Sequence, residues 1–222
     1  MTGRVPVSHA PRGAATRTFL LEVRARTTRG AGAFATLGGV ALPATLHDFQ
    51  VELSHVDAGV TERVAIRAAR HPSESMERVW VRVIAQCWLW REGIEQGPGL
   101  CEPDLPDVIA RDLTGEVTLW ARVGRPDPAR VQQEADRNPR ALVAVVFDSP
   151  RRMEAFAEEA RGAGLPRLGR VELAAVDPAL LAELSANGER RIRISLTIVG
   201  DHLYVEVGGK SLDGPLHRSR VS

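Results

Sequence analysis

The chain contains residue types that could bind a nucleotide, hold zinc or carry out acyl transfer. Their spacing does not match the motif that each of these functions needs. Gly208-Gly209-Lys210-Ser211 has the composition of the end of a phosphate-binding loop, but such a loop needs a glycine where Tyr204 stands. No two of the six histidines have the four-residue spacing of a helical zinc motif, and there is no Gly-x-Ser-x-Gly nucleophile elbow. The sequence therefore predicts no nucleotide cofactor and gives no support for a zinc protease or an acyl-transfer enzyme.

Two opposite charges stand four residues apart at the start of the clearest helical pattern. The segment His71-Pro72-Ser73-Glu74 ends a strand and opens a helix, and Ser73 is the predicted N-cap. Glu74 places negative charge in the first turn, where the helix dipole favours it. Arg78 lies one turn further, on a face other than the apolar stripe, whose members are Met76, Val79, Trp80, Val83, Ile84, Cys87 and Trp88.

A second group of polar residues belongs to a predicted hairpin over 107–111 and 116–123, with the turn Asp112-Leu-Thr-Gly115. A four-residue turn places Asp107 opposite Trp120. Because side chains alternate along a strand, Asp107 is then expected on the same side of the sheet as Thr118 and Arg122.

Length and composition indicate a globular protein. The chain has 222 residues, of which 44% are hydrophobic and 26% charged. No apolar run approaches the roughly 18 residues of a membrane span, so no membrane association is expected. The two cysteines, Cys87 and Cys101, form no Cys-x-x-Cys pair, which favours a reducing, cytoplasmic location.

Charge divides the chain at about residue 39. Residues 1–39 carry six arginines and one glutamate, whereas the remainder has a net charge of −4. We therefore expect any nucleic-acid contact to come from a local basic patch. The first 39 residues have no stable periodicity and are predicted to be a disordered or wrongly annotated leader, with a targeting peptide or basic arm as the alternative.

The rest of the pattern alternates between strands and helices and predicts a single mixed α/β domain, in which helices flank a central twisted mixed sheet. Strands are expected over 46–56, 60–69, 142–147, 171–176, 190–199 and 203–207, and further helices over 128–137, 150–161 and 179–185.

Several segments together resemble the YaeQ family of bacterial proteins. These are Ala69-Arg-His-Pro-Ser-Glu74 with Glu77-Arg78, Gly99-Leu-Cys101, the Asp112-Leu-Thr-Gly115 hairpin, Leu119-Trp120, Val123-Gly124 and Pro126-Asp127. The resemblance runs from about residue 44 nearly to the end. Members of that family begin close to Val40, so we expect a domain over 40–222 and a chain start at Val40.

The family is similar in fold to the PD-(D/E)XK nucleases, which implies a variant restriction-endonuclease-like fold. Those enzymes hold divalent metals with carboxylates on a twisted sheet, helped by a glutamate from a preceding helix. A hard cation held by oxygen ligands stabilises the charge that develops during phosphodiester cleavage.

The resemblance assigns Glu74 as the helix glutamate and Asp107 as the sheet carboxylate, but two further acidic positions fall on Thr118 and Arg122. The basic residue of the nuclease motif falls on Gly124. A guanidinium ~4 Å from a divalent ion repels it by roughly 8 kcal/mol at an effective dielectric of ~20. We therefore expect Arg122 to pair with Asp107 or Glu74 and to close a vestigial site.

Three functions follow. The first is a degenerate domain that acts by binding nucleic acid or another protein, with His71, Arg78, Thr118, Trp120 and Arg130 around the vestigial pocket. The second is an active Mg²⁺- or Mn²⁺-dependent nuclease, in which Glu74, Asp107 and Glu116 hold the metal. The third is a protein-interaction module without a nucleic-acid role. Separately, the ordinary alternatives remain open: an N-terminal helix charge for Glu74, a turn or edge-strand acid for Asp107 and an exposed strand residue for Arg122.

Overall fold

The structure is a computed structural model that describes residues 44–102, 104–186 and 188–221. The leader expected over 1–39 and the start expected at Val40 lie outside these residues. Within them, no helix is long and apolar enough to cross a membrane.

The described residues form a single mixed α/β domain, as the sequence predicts. The helices are α1 (Met76–Trp88), α2 (Pro128–Arg137), α3 (Pro150–Gly162) and α4 (Pro178–Ser185). The strands are β1 (Thr45–His55), β2 (Val60–Arg70), β3 (Ile94–Gln96), β4 (Val108–Arg111), β5 (Val117–Val123), β6 (Leu142–Phe147), β7 (Glu172–Val176), β8 (Arg191–Val199), β9 (His202–Val207) and β10 (Lys210–Arg220).

All ten strands belong to one sheet, in the order β2-β1-β8-β9-β10-β7-β6-β5-β4-β3. The neighbours β5, β6 and β7 run parallel and are joined through α2 and α3, and β1 runs parallel to β8. The other neighbouring pairs are antiparallel. The sheet is therefore mixed, because helical crossovers and hairpins alternate along the chain.

Two apolar cores lie on opposite faces of this sheet. The larger core packs α1 and α4 against strands from both halves of the sheet, and the smaller core packs α2 and α3 against β5, β6 and β7. In the part of the chain that the structure describes, no helix covers the second face of β2, β1, β8, β9 and β10. The side chains there alternate between buried and exposed, as expected for a sheet with one solvated face.

The sheet curls around α1. Its two edge strands, β2 and β3, contact each other, and α1 also contacts β1, β4, β5 and β6. Every residue of α1 from Val79 to Trp88 is consequently buried, including the polar Arg82 and Gln86. A helix enclosed on all sides must satisfy its polar side chains internally.

The predicted cap of α1 is wrong by two residues. Ser75, not Ser73, is the N-cap, and its hydroxyl accepts a hydrogen bond from the Arg78 backbone amide at 3.2 Å. Ser73 instead contacts the His71 ring, with 2.7 Å between Oγ and Nδ1. Glu74 therefore precedes the helix and is not part of its first turn.

Two further predictions need correction. Ile109, not Asp107, lies opposite Trp120. The turn closes between Asp112 and Glu116, which shifts the register by one residue, and a β-bulge after Ala110 shifts it by another. The sequence pattern also predicts no strand beyond 203–207 and misses β10, which carries Gly214-Pro215 and many polar residues. This strand pairs with β9 and with β7 and joins the two halves of the sheet.

The observed cap gives a test. We expect Ser75→Ala to lower the free energy of unfolding by about 1 kcal/mol, because a donor at the start of α1 loses its acceptor. The matched control Ser73→Ala, two residues away, should change it by less than half as much. Urea unfolding followed by circular dichroism measures both, and a larger loss for Ser73→Ala would contradict the assignment of the cap.

Candidate functional site

A stripe of polar side chains runs along one side of α1. Glu74 stands just before the helix, and Arg78, Arg82 and Gln86 follow at four-residue intervals. Residues four apart lie above one another on a helix. The stripe therefore faces a single region of the surrounding sheet, where β2, β3 and the start of β4 meet.

Arg78 bridges the two carboxylates that the sequence singles out. Its Nη1 atom lies 2.5 Å from Glu74 Oε1, and its Nη2 atom lies 2.7 Å from Asp107 Oδ1. Both carboxylates are fully buried, whereas the Arg78 side chain is 18% exposed. Burial opposes the charge on Arg78, but Asp107 and Glu74 outweigh it and raise the pKa of the guanidinium above its usual value.

Arg82 is fully buried one turn deeper and holds the two edges of the sheet together. Its Nη1 atom donates to the carbonyl of Ala69 in β2, and its Nη2 atom donates to the carbonyl of Gly97 just beyond β3, both at 3.0 Å. Nη1 also lies 3.4 Å from both Glu74 oxygens. Arg82 thus donates hydrogen bonds to backbone carbonyls that have no strand partner in the curled sheet.

The backbone of the Gly97-Pro98-Gly99 segment packs closely against the Arg82 guanidinium. Gly99 has φ +63°, and a Cβ there would lie 2.7 Å from Arg82 Nη1. A Cβ on Gly97 would lie 1.9 Å from the Pro106 carbonyl oxygen. Both positions therefore need glycine because of close approach, and Gly99 also because of its backbone conformation.

Asp107 fixes the start of β4 against the end of β5. Its Oδ2 atom accepts a hydrogen bond from the Val123 backbone amide at 2.9 Å, and its own amide donates to the Ala121 carbonyl at 2.9 Å. Arg122 approaches the same carboxylate, with 3.7 Å between Nε and Oδ2. The expected pairing of Arg122 with a carboxylate is thus observed, although Arg78 is the nearer partner of Asp107.

Positive charge exceeds negative charge in this cluster. Arg78, Arg82 and Arg122 surround two buried carboxylates, Glu74 and Asp107. Burial lowers the pKa of Arg122, Asp107 raises it, and the neighbouring Arg78 and Arg130 lower it further, so that it lies below its usual value. The Arg122 side chain is 17% exposed and also donates through Nη1 to the Leu105 carbonyl.

Two of the predicted pocket residues, Trp120 and Arg130, lie at a cavity that neither Glu74 nor Asp107 lines. Trp120, Arg122 and Arg130 line a cavity of about 500 Å³ between the end of β5 and α2. Trp120 is mostly buried in the smaller core, and Arg130 pairs with Asp104 at 2.7 Å. Arg78 lies in the ion cluster instead. Thr118 does not line this cavity, and its carbonyl accepts a hydrogen bond from Arg91.

Two predicted residues serve other roles in the structure. The His71 backbone amide donates to Glu74 Oε2 at 3.3 Å, so His71 shapes the turn that carries Glu74. Glu116 stands at the opposite end of β5 from Asp107, 69% exposed and 4.0 Å from Arg140. The carboxylate set of Glu74, Asp107 and Glu116 is therefore not brought together. No group of three or more His, Cys, Asp or Glu residues with metal-binding geometry occurs among residues 44–102, 104–186 and 188–221.

Sequence reasoning misses the residues that organise this cluster. Arg82 and Gln86 continue the spacing from Glu74 and Arg78 inside an otherwise apolar helix, and that repeat is the signal that identifies them. Gln86 is buried, and its Oε1 accepts a hydrogen bond from Gln96 of β3 at 2.8 Å. The stripe is thus a continuous polar seam between α1 and the edge of the sheet.

The seam predicts an unequal response to removing arginines. We expect Arg82→Met to lower the free energy of unfolding by about 3–5 kcal/mol, because it leaves two buried carbonyls without a donor and removes one of the two guanidinium partners of Glu74. The control Arg63→Met removes an exposed arginine of β2 that pairs with Glu52 of β1. It should lower the free energy of unfolding by less than about 1 kcal/mol. Urea unfolding measures both variants, and equal losses would show that Arg82 does not hold the seam.

Comparison with known proteins places the chain among bacterial relatives. The family model described as YaeQ protein matches residues 40–214. The YaeQ protein of Escherichia coli K12 is 26% identical over 159 residues, which are 72% of this chain and 86% of the relative. The Salmonella typhi protein is 24% identical over 174 residues, covering 78% of this chain and 94% of that protein.

Solved structures agree with this relationship. The crystal structure of YaeQ protein from Xanthomonas axonopodis pv. citri superposes with a TM-score of 0.70 at 25% identity, covering 80% of this chain and 97% of that one. The crystal structure of YaeQ protein from Pseudomonas syringae gives a TM-score of 0.69 at 25% identity, covering 81% of this chain and 96% of that one. The chain belongs to the YaeQ family.

Proposed function

We propose that this YaeQ-family chain is a catalytically degenerate, nuclease-like domain that binds nucleic acid without cleaving it. The observation that carries the proposal is the Arg78 bridge, in which one guanidinium occupies the space between Glu74 and Asp107. In a metal-dependent nuclease the corresponding carboxylates hold the cation.

The placement of these carboxylates supports a relationship to the PD-(D/E)XK nucleases. Glu74 stands directly before α1, and Asp107 stands at the start of β4 on the twisted sheet. A glutamate from the turn before a helix and a carboxylate at the start of a strand thus meet within reach of the Arg78 side chain. This arrangement favours a variant restriction-endonuclease-like fold. It supports a relationship in fold and does not by itself support an activity.

The residues present do not fit a divalent cation. Mg²⁺ and Mn²⁺ need several oxygen ligands, but Glu74 Oε1 and Asp107 Oδ1 face Arg78, while Asp107 Oδ2 accepts the Val123 amide. Each guanidinium at ~4 Å would repel the ion by roughly 8 kcal/mol at an effective dielectric of ~20. Arg122, at a position where the family resemblance calls for an acid, adds to this repulsion.

The same charges support binding of an anion. Three guanidinium groups face two carboxylates, and Arg122 reaches the wall of the cavity beside α2. Guanidinium groups bind phosphate oxygens well because their donors match the geometry of the oxyanion. A domain that has lost its metal ligands and kept cations next to the former site is suited to bind a phosphodiester and release it unchanged.

Metal titration tests the first part of the proposal. We expect calorimetric titration of Mn²⁺ into the full chain to show no saturable binding, because Arg78 and Arg122 oppose the cation. Asp107→Asn is the matched variant, since it removes the charge and keeps the shape. Saturable binding to the native chain that Asp107→Asn abolishes would overturn the proposal and support an active nuclease.

Nucleic-acid titration tests the second part. We expect a fluorescent oligonucleotide to bind with an affinity that falls steeply with salt, because cations on the protein replace condensed counterions. The oligonucleotide should remain intact on a denaturing gel after incubation with Mg²⁺ or Mn²⁺. An absence of binding at low salt would contradict the proposal and support a protein-interaction module.

A further inference from the structure

One part of the sheet has no covering helix among the described residues. It consists of the outer sides of β2, β1, β8, β9 and β10, opposite α1 and α4. The buried residues of β8, such as Ile192 and Ile194, face the core, so Arg191 and Arg193 point outward. We call this surface the open face.

A groove crosses the open face. Two adjoining cavities, of about 1000 Å³ and 500 Å³, share Gln50 of β1 and Arg193 of β8. The tip of the β9–β10 hairpin, with Gly208 and Gly209, forms one wall of the larger cavity. Together the two cavities exceed a typical small-molecule pocket of ~300–1,000 Å³.

The cations along this groove differ in their pairing. Arg63 lies 3.4 Å from Glu52, and Arg67 lies 3.0 Å from Asp48. In contrast, Asp48, Glu52 and Glu206 form no ion pair within 4.0 Å with the three remaining cations, which are Arg191, Arg193 and Lys210. Glu189 and Glu206 also line the groove, so its charges balance only in part.

We infer that this groove binds the backbone of single-stranded nucleic acid. The inference rests on the proposed function and adds to the cations beside α2 a second binding surface, on the side of the sheet opposite α1. Arg191 and Arg193 stand two residues apart, which separates them by ~6.6 Å along the strand, close to the spacing of phosphates in an extended single strand. Gln50, Ser195 and Ser211 add neutral hydrogen-bonding groups between the cations.

A single strand fits this surface better than a duplex. A single strand is thin enough to lie in a groove between a sheet and a hairpin tip, and its phosphates follow one line of cations. The acidic residues in the groove, such as Glu206, limit the attraction for a dense polyanion. We therefore expect moderate affinity with little sequence preference and a strong dependence on salt.

Fluorescence anisotropy with the full chain and labelled oligonucleotides of twelve dT or twelve rU units tests this inference. The groove variant R191Q/R193Q removes two phosphate contacts, so the slope of log affinity against log salt should become shallower by about 1.4. Its affinity at low salt should fall at least tenfold. The control R151Q/R161Q removes two exposed cations on α3 and should bind like the native chain. Comparing the two oligonucleotides shows whether the sugar matters.

Each other outcome has a definite meaning. An equal loss in R151Q/R161Q would show unspecific attraction and overturn the groove. A loss in R122Q/R130Q, with R191Q/R193Q unchanged, would overturn the groove and leave the proposed function standing at the cavity beside α2. Competition by polyglutamate at the same charge concentration would assign the groove to an acidic protein. If the native chain binds neither oligonucleotide, the result would contradict the proposed function as well as the groove.

Discussion

The buried guanidinium of Arg82 is the interaction on which the rest of the structure depends. The sheet curls far enough for its two edges to meet, and a curled sheet that does not close leaves edge carbonyls without partners. Arg82 donates to one carbonyl on each side of the gap. Its charge needs a counter-charge in the same dry space, and Glu74 provides it. The fold thus explains why a charged residue lies at the centre of an apolar helix.

Because of this dependence, the residues of the candidate site also determine the stability of the fold. Removing one partner from a buried ion network leaves an uncompensated charge, which costs more than the network contributes as a whole. Glu74 and Asp107 are therefore constrained by Arg78 and Arg82 even if no metal is ever bound. The presence of these two carboxylates is consequently weak evidence for cleavage by this chain. The composition of their surroundings is more informative, because arginines occupy the space that a cation needs.

The sequence predicts most elements because their signals are local. Periodicity finds α1 and the β1–β2 hairpin, and the continuous apolar run Leu142–Phe147 finds β6. Predictions fail where the deciding contact is distant. Ser73 and Ser75 are equally good caps by type, and tertiary contacts of Glu74 decide between them. No local signal marks β10, because its strand conformation comes from pairing with β7 and β9. Arg78 joins Glu74 to Asp107, and Arg122 approaches Asp107. The four-residue repeat marks Arg82 in the sequence, but its partners on the two sheet edges are known only from the curled sheet.

The position of β10 also has a consequence for biosynthesis. This strand follows all the other described strands in the chain, yet it lies in the middle of the sheet between β9 and β7. While the ribosome still holds the last strand, β7 and β9 each present an unpaired edge with buried-type apolar residues. Such edges are sites of aggregation and of wrong strand pairing. The two halves of the sheet therefore become one cooperative unit only after synthesis of β10, and a nascent chain halted before Lys210 is a natural client for a chaperone.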